Sequence, residues 1–184
     1  MPTFPLAKIV RAICAVDGEA GRTYTQALTL ARKLAHERII QAEGEVLPRV
    51  EAEYSERSAA RLTILMALAE TNPSVERLRA IIDPQPIGTG TDDKPVYDAI
   101  RPGLDTVLEQ IDSTEWILEV LAFRETDGTI KFKGGYRKEF SESPYVLSGL
   151  EARLLLKGRR LLWMQSIPVN YRVSNVLHIL NQGV

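Results

Sequence analysis

Cysteine is nearly absent from this chain. The single one, Cys14, cannot close an internal disulfide, which excludes a disulfide-stapled scaffold. Its neighbours Ile9, Val10, Ile13 and Val16 suggest a buried, inert thiol. Histidine is almost as scarce. A zinc site usually takes about four close-spaced His, Cys or carboxylate ligands, and His36 and His178 with one cysteine do not supply them. Ala35-His36-Glu37-Arg38 is only a fragment of the metalloprotease helix motif. No apolar run approaches the roughly 18 residues needed to cross a bilayer. Lys8 and Arg11 interrupt the N-terminal apolar stretch, so it reads as a helix of the mature protein rather than a signal peptide. The expected address is the cytoplasm, or a virion or complex assembled there, with no membrane association.

Catalytic signatures are missing too. Gly88-Thr89-Gly90 lacks the spacing of a phosphate loop, and no nucleophile-elbow pattern occurs. Glu43, Glu45, Glu51, Glu53 and Glu56 form a carboxylate cluster, but the Glu-x-x-His element of a di-iron bundle is absent. With Arg49 and Arg57 nearby, the cluster reads as a solvated helix face carrying ion pairs. No cofactor and no catalytic residue is expected.

What is present is an uneven charge distribution. Residues 1–127 carry 14 Lys/Arg and 21 Asp/Glu, a net −7. Residues 128–184 carry 9 and 3, a net +6, although the whole chain is only −1. Such asymmetry hints at an anionic partner for the basic part. The plainer account is that acidic and basic faces attract each other, within one subunit or between subunits.

The hydrophobic pattern is mostly helical. Leu6, Ile9, Val10 and Ile13 share one face of a helix from Pro5 to about Val16, stopped by Gly18. A second helix is expected over Arg22–Gln41 and a third, long one over Leu47–Glu70. Asn72-Pro73 starts a short fourth helix ending near Ile82. A loop covers Asp83–Lys94, and a helical stretch from Pro95 is kinked at Pro102-Gly103. After Ser113 the character changes. EWILEVLAFRE, the turn signal Thr126-Asp127-Gly128 and the alternating TIKFK predict a β-hairpin, with Ile130 and Phe132 inward. The rival reading continues the preceding helix through Phe123. Ser148 and Glu151 have capping-box spacing, residues 159–167 read as helix or strand, and a last helix covers Tyr171–Asn181. The expected fold is mainly α: an acidic helical bundle over 1–112, then a small basic α+β segment over 113–184.

One constellation carries chemistry. Lys131, Lys133, Tyr136, Arg137 and Lys138 interleave with Phe132 and two glycines, and Lys157, Arg159, Arg160 and Arg172 follow. Cations on a hairpin can neutralise phosphates or carboxylates, and aromatics can stack on bases. The leading expectation is a non-enzymatic assembly or adaptor protein working through helical packing and charge-complementary surfaces. It would bind a protein partner or itself, as a subunit of a viral or ribonucleoprotein complex. RNA or DNA binding by segment 131–172 is the alternative, and a small-molecule enzyme of unknown type the third.

Overall fold

The computed structural model describes residues 2–18, 22–44, 51–69, 74, 78, 104–138 and 158–182. The chain divides into two compact units, Met1–Leu78 with Val169–Val184, and Arg79–Pro168. This partition cuts across the charge boundary, because the last helix belongs with the acidic N-terminal residues.

The first unit holds β1 (Thr3–Pro5), α1 (Leu6–Asp17), α2 (Tyr24–His36), β2 (Glu53–Ser55) and α3 (Glu56–Ala69), with the later helix Val169–Asn181 packed on α1 and α3. β1 and β2 pair antiparallel, with Phe4 opposite Tyr54 and both rings buried. Pro5 therefore caps α1 from an extended conformation rather than opening it, and Gly18, at φ 65°, ends it. Thr23 starts α2 through a reciprocal capping box: Gln26 N–H donates to the Thr23 hydroxyl, and Thr23 N–H donates to Gln26 Oε1. α2 stops at His36, short of the expected Gln41, because Arg38 takes a left-handed φ of 55° and Ile39 N–H turns back to the Leu34 carbonyl.

α3 is the centre of this unit. Every residue from Leu62 to Ala69 is buried, so it is enclosed on all sides rather than striped. The expected start at Leu47 is corrected, since 53–55 are strand and the helix begins at Glu56. The end of α3 is closed from outside. Arg22 donates from its guanidinium to the carbonyls of Met66 (3.0 Å) and Ala69 (2.5 Å), two of the four carbonyls that a helix end leaves unpaired.

The second unit holds α4 (Leu104–Glu109), β3 (Trp116–Arg124), β4 (Ile130–Lys138) and β5 (Arg160–Pro168). The three strands form an antiparallel sheet in the order β4-β3-β5. β3 is buried from Leu118 through Phe123, so both of its faces are covered, as its unbroken β-favourable run suggests. The 116–124 segment is strand, not helix, and so is 160–168. Two antiparallel sheets make the fold α+β and overturn the expected mainly-α bundle. A single hairpin was anticipated, whereas a second ribbon and a third sheet strand are added.

α5 (Val169–Asn181) follows β5 directly in the chain. Arg172 pairs with Asp17 at 2.6 Å, Lys8 Nζ donates to the Leu180 carbonyl, and Asn181 Nδ2 donates to Glu56 Oε1. These contacts fasten its ends to α1 and α3. Most of the helix expected over Pro73–Ile82, the 83–94 loop, the start of the stretch at Pro95 and the helix after Ser148 lie outside the described residues.

Candidate interaction face

Strand register decides which side chains stand together. In an antiparallel pair, directly opposed residues share a face. On one face of the three-stranded sheet, Ile130, Arg124 and Arg160 form a cross-strand row at the hairpin end. Phe132, Ala122 and Trp163 form the next row of the same face. Ala122 is fully buried, and across this small residue the two rings meet edge to face, with centroids 5.8 Å apart. Further along this face Tyr136, Leu118, Ile167 and Trp116 are buried, and at its far end Lys138 is exposed.

A register shift between Ala122 and Phe123 gives β5 one extra residue, Leu162. Leu162 is 37% exposed, and Ile130 is 41% exposed. The expectation that Ile130 faces inward is therefore corrected: it stands in a row whose three residues are all exposed. Arg124 and Arg160 are both exposed. Among the described residues neither side chain makes a hydrogen bond or an ion pair. Two like charges directly opposed across a ladder oppose the pairing.

The cations singled out from sequence fare differently. Glu125 lies between two of them, with Lys131 Nζ at 3.2 Å and Arg159 Nε at 2.5 Å. Partial burial would raise the Glu125 carboxyl, but the hydrogen bonds and charges of Arg159 and Lys131 outweigh it and hold the group below its ordinary range. Arg159 also lies over the Phe123 ring. Lys138 sits over Trp116 at 5.8 Å. Tyr136 is buried at 4% exposure, so its ring is not offered to a base. Lys133 and Arg137 occupy β4 opposite Leu121 and Ile117. Lys157 lies outside the described residues. Arg172 is in the other unit, paired with Asp17.

The structure thus draws attention to residues the sequence reading passed over. In sequence Arg124 ends an apolar run and Leu162 lies within another. Only the register that sets 124 against 160, and the bulge beside it, reveals them. Glu119 was also missed. It is 1% exposed within β3, opposite Gly135 and Ser166, and is engaged in a contact there. Its signal was one charge inside an otherwise apolar strand.

Cys14 donates weakly to the Arg22 carbonyl at 3.9 Å, and burial, then Asp17, pushes its thiol up, which disfavours the reactive thiolate. Among the described residues no three His, Cys, Asp or Glu side chains converge to hold a metal ion, and no helix is long and apolar enough to cross a membrane. No family model and no curated protein sequence matches the chain.

Proposed function

We propose that this chain is a non-enzymatic assembly or adaptor protein that grips an acidic protein segment with the hairpin end of its three-stranded sheet. The observation that supports this is the exposed Arg124–Arg160 pair, directly opposed and without a carboxylate among the described residues, beside exposed Ile130 and Leu162. Opposed like charges cost the sheet up to about 1 kcal/mol. A partner's carboxylates would relieve that cost, and its apolar side chains would cover Ile130 and Leu162. Arginine beside apolar and aromatic side chains is the usual make-up of a binding hot spot.

RNA or DNA is the weaker reading. Lys131, Arg159 and Arg172 are engaged by carboxylates, Lys138 lies over Trp116, and Tyr136 is buried. Exposed Ile130 and Leu162 have no counterpart on a sugar-phosphate backbone.

The test is fluorescence anisotropy with two labelled probes, a peptide of alternating Glu and Leu and a single-stranded oligothymidine. The peptide should bind, and R124E/R160E should weaken it by about tenfold or more. Arg160→Thr should also weaken it while leaving thermal stability unchanged or higher, which separates a binding role from a structural one. Tighter binding of the oligonucleotide, lost in R124E/R160E and falling with salt at a log–log slope of about −0.7 per contacted phosphate, would move the protein to the nucleic-acid class.

A further inference from the structure

The outer face of α2 is cationic, and it lies within a single unit on a single helix. Residues 23–36 contain no Asp or Glu, although they belong to the acidic part of the sequence. At about 3.6 residues per turn, Thr25, Gln26, Thr29, Arg32, Lys33 and His36 fall within an arc of about 120°. All six are exposed, while Ala27, Ala31 and Leu34 on the opposite arc are buried. Arg38, just beyond the helix, is exposed as well. Arg11 of α1 is exposed and lies over the Tyr24 ring at 5.6 Å, beside the other end of α2. Among the described residues, none of Arg11, Arg32, Lys33 and Arg38 meets a carboxylate. Glu37, the acid nearest to them in sequence, is engaged in an interaction of its own. The helix dipole favours Lys33 and His36 in the last turn, but it disfavours a cation such as Arg11 near the first.

We infer that this face binds the phosphates of duplex DNA, with α2 seated in the major groove. The inference is independent of the hairpin end and adds a second partner to the adaptor reading. The make-up of the face favours phosphate over protein. Among the described residues it has no exposed large apolar side chain, whereas the hairpin end has two. The centre of a protein interface is apolar or aromatic and poor in lysine, while DNA interfaces are polar and strongly cationic. The same lack of apolar side chains disfavours a membrane surface. Size points the same way. From Thr25 to His36 the face is about 16 Å long, and a helix about 10–12 Å across fits the roughly 12 Å major groove of B-DNA. The deep, narrow major groove of duplex RNA does not admit it.

The contact is indifferent to base sequence. Thr23 and Gln26 use their side chains on each other's backbone N–H in the capping box, and the Thr29 hydroxyl donates to the Thr25 carbonyl at 2.8 Å. Groups that could read base edges are thus occupied by the helix itself, and the cations remain for the phosphates. Four cations on four phosphates give log K a slope of about −3.6 against log salt, about −0.9 for each.

The test is fluorescence anisotropy of the full chain with a labelled duplex DNA of about 20 base pairs and mixed sequence, at about 50–200 mM salt. Duplex RNA of the same sequence and the Glu–Leu peptide are the comparison probes. Wild type should bind the DNA with the slope given above. R32Q/K33Q should bind it about tenfold or more weakly at about 50 mM salt, with the slope reduced to about −1.8. R32K/K33R, which keeps both charges, should bind as wild type, and far-UV circular dichroism checks that each variant is folded. R124Q/R160Q removes the same amount of charge from the hairpin end and should also bind DNA as wild type. R32Q/K33Q should leave peptide binding unchanged, so this inference and the proposed function fail separately. No DNA binding at about 50 mM salt overturns the inference, as does binding whose affinity and slope R32Q/K33Q leaves unchanged. Duplex RNA bound as tightly as DNA overturns the seating in the groove, and a peptide lost in R32Q/K33Q makes the face a protein site instead.

Discussion

Replacing Arg22 with alanine tests whether α3 depends on a side chain from outside its own sequence. The guanidinium makes two hydrogen bonds to carbonyls at the end of the most deeply buried helix. A hydrogen bond to a charged group contributes about 1.5–3 kcal/mol when its partner is dry. These carbonyls are part-buried and can recruit some water, so Arg22→Ala should cost about 2–4 kcal/mol in total. Arg22→Lys, a point charge that serves one carbonyl, should cost roughly half as much. With an m-value of about 1.5 kcal/mol per molar urea, the alanine variant's midpoint should fall by about 1.3–2.7 M, with m unchanged. The assay can assign the loss to a unit. Both tryptophans, Trp116 and Trp163, lie in Arg79–Pro168, whereas the four longest helices among the described residues lie in the other unit. Ellipticity at 222 nm should therefore register the shift directly. If tryptophan fluorescence moves with it, the two units unfold together; if it does not, they unfold separately. A midpoint within about 0.3 M of wild type would refute the reasoning, because water would then be closing the helix as well as arginine does.

The Glu125 clamp predicts a pH effect. Its carboxyl is held below the ordinary 4.5, so the folded chain binds fewer protons than the unfolded one in that range. Its stabilising effect is complete above about 4.5 and is lost as pH falls through the lowered value. Melting temperatures followed by tryptophan fluorescence from pH 7 to 3 should fall more steeply for wild type than for Glu125→Gln, and parallel curves would remove the clamp from the account. Asp127, lowered by hydrogen bonds from the Thr129 hydroxyl and N–H, gives both proteins the same background slope. Gly158→Ala should destabilise by about 1–3 kcal/mol, since φ is +66° and the new Cβ would stand 2.7 Å from Thr126 Cγ2. Adding Thr126→Ser to that variant should return the contact part and not the backbone part, as read from urea midpoints.

Local signals were legible where one residue type has one conformational use. Gly18 ends α1, Gly128 at φ 85° turns the hairpin, and Pro168 ends β5. Val173, Val176 and Leu180 form the buried face of α5 at helical spacing. The failures share a cause. Strand residues 53–55 sit inside a stretch whose apolar spacing suits a helix, and only their pairing with 3–5 makes them strand. Arg38 turns left-handed without being glycine, which no local rule announces. The interaction face was half legible. The basic segment was visible, but which cations stay unneutralised depends on Glu125, Asp17 and a strand register, all of which are long-range facts.

The order of residues along the chain has a consequence for how the molecule is made. α1, α2 and α3 are synthesised first, yet α5, which packs on two of them, is separated from them by the whole of Arg79–Pro168. A ribosome adds the last residue of the sheet unit before it makes the helix that closes the first one. The unit begun earlier is finished later. Until Val169–Asn181 emerges, the apolar surfaces of α1 and α3 that it covers have no permanent neighbour. That interval is when this chain is most exposed to misassociation.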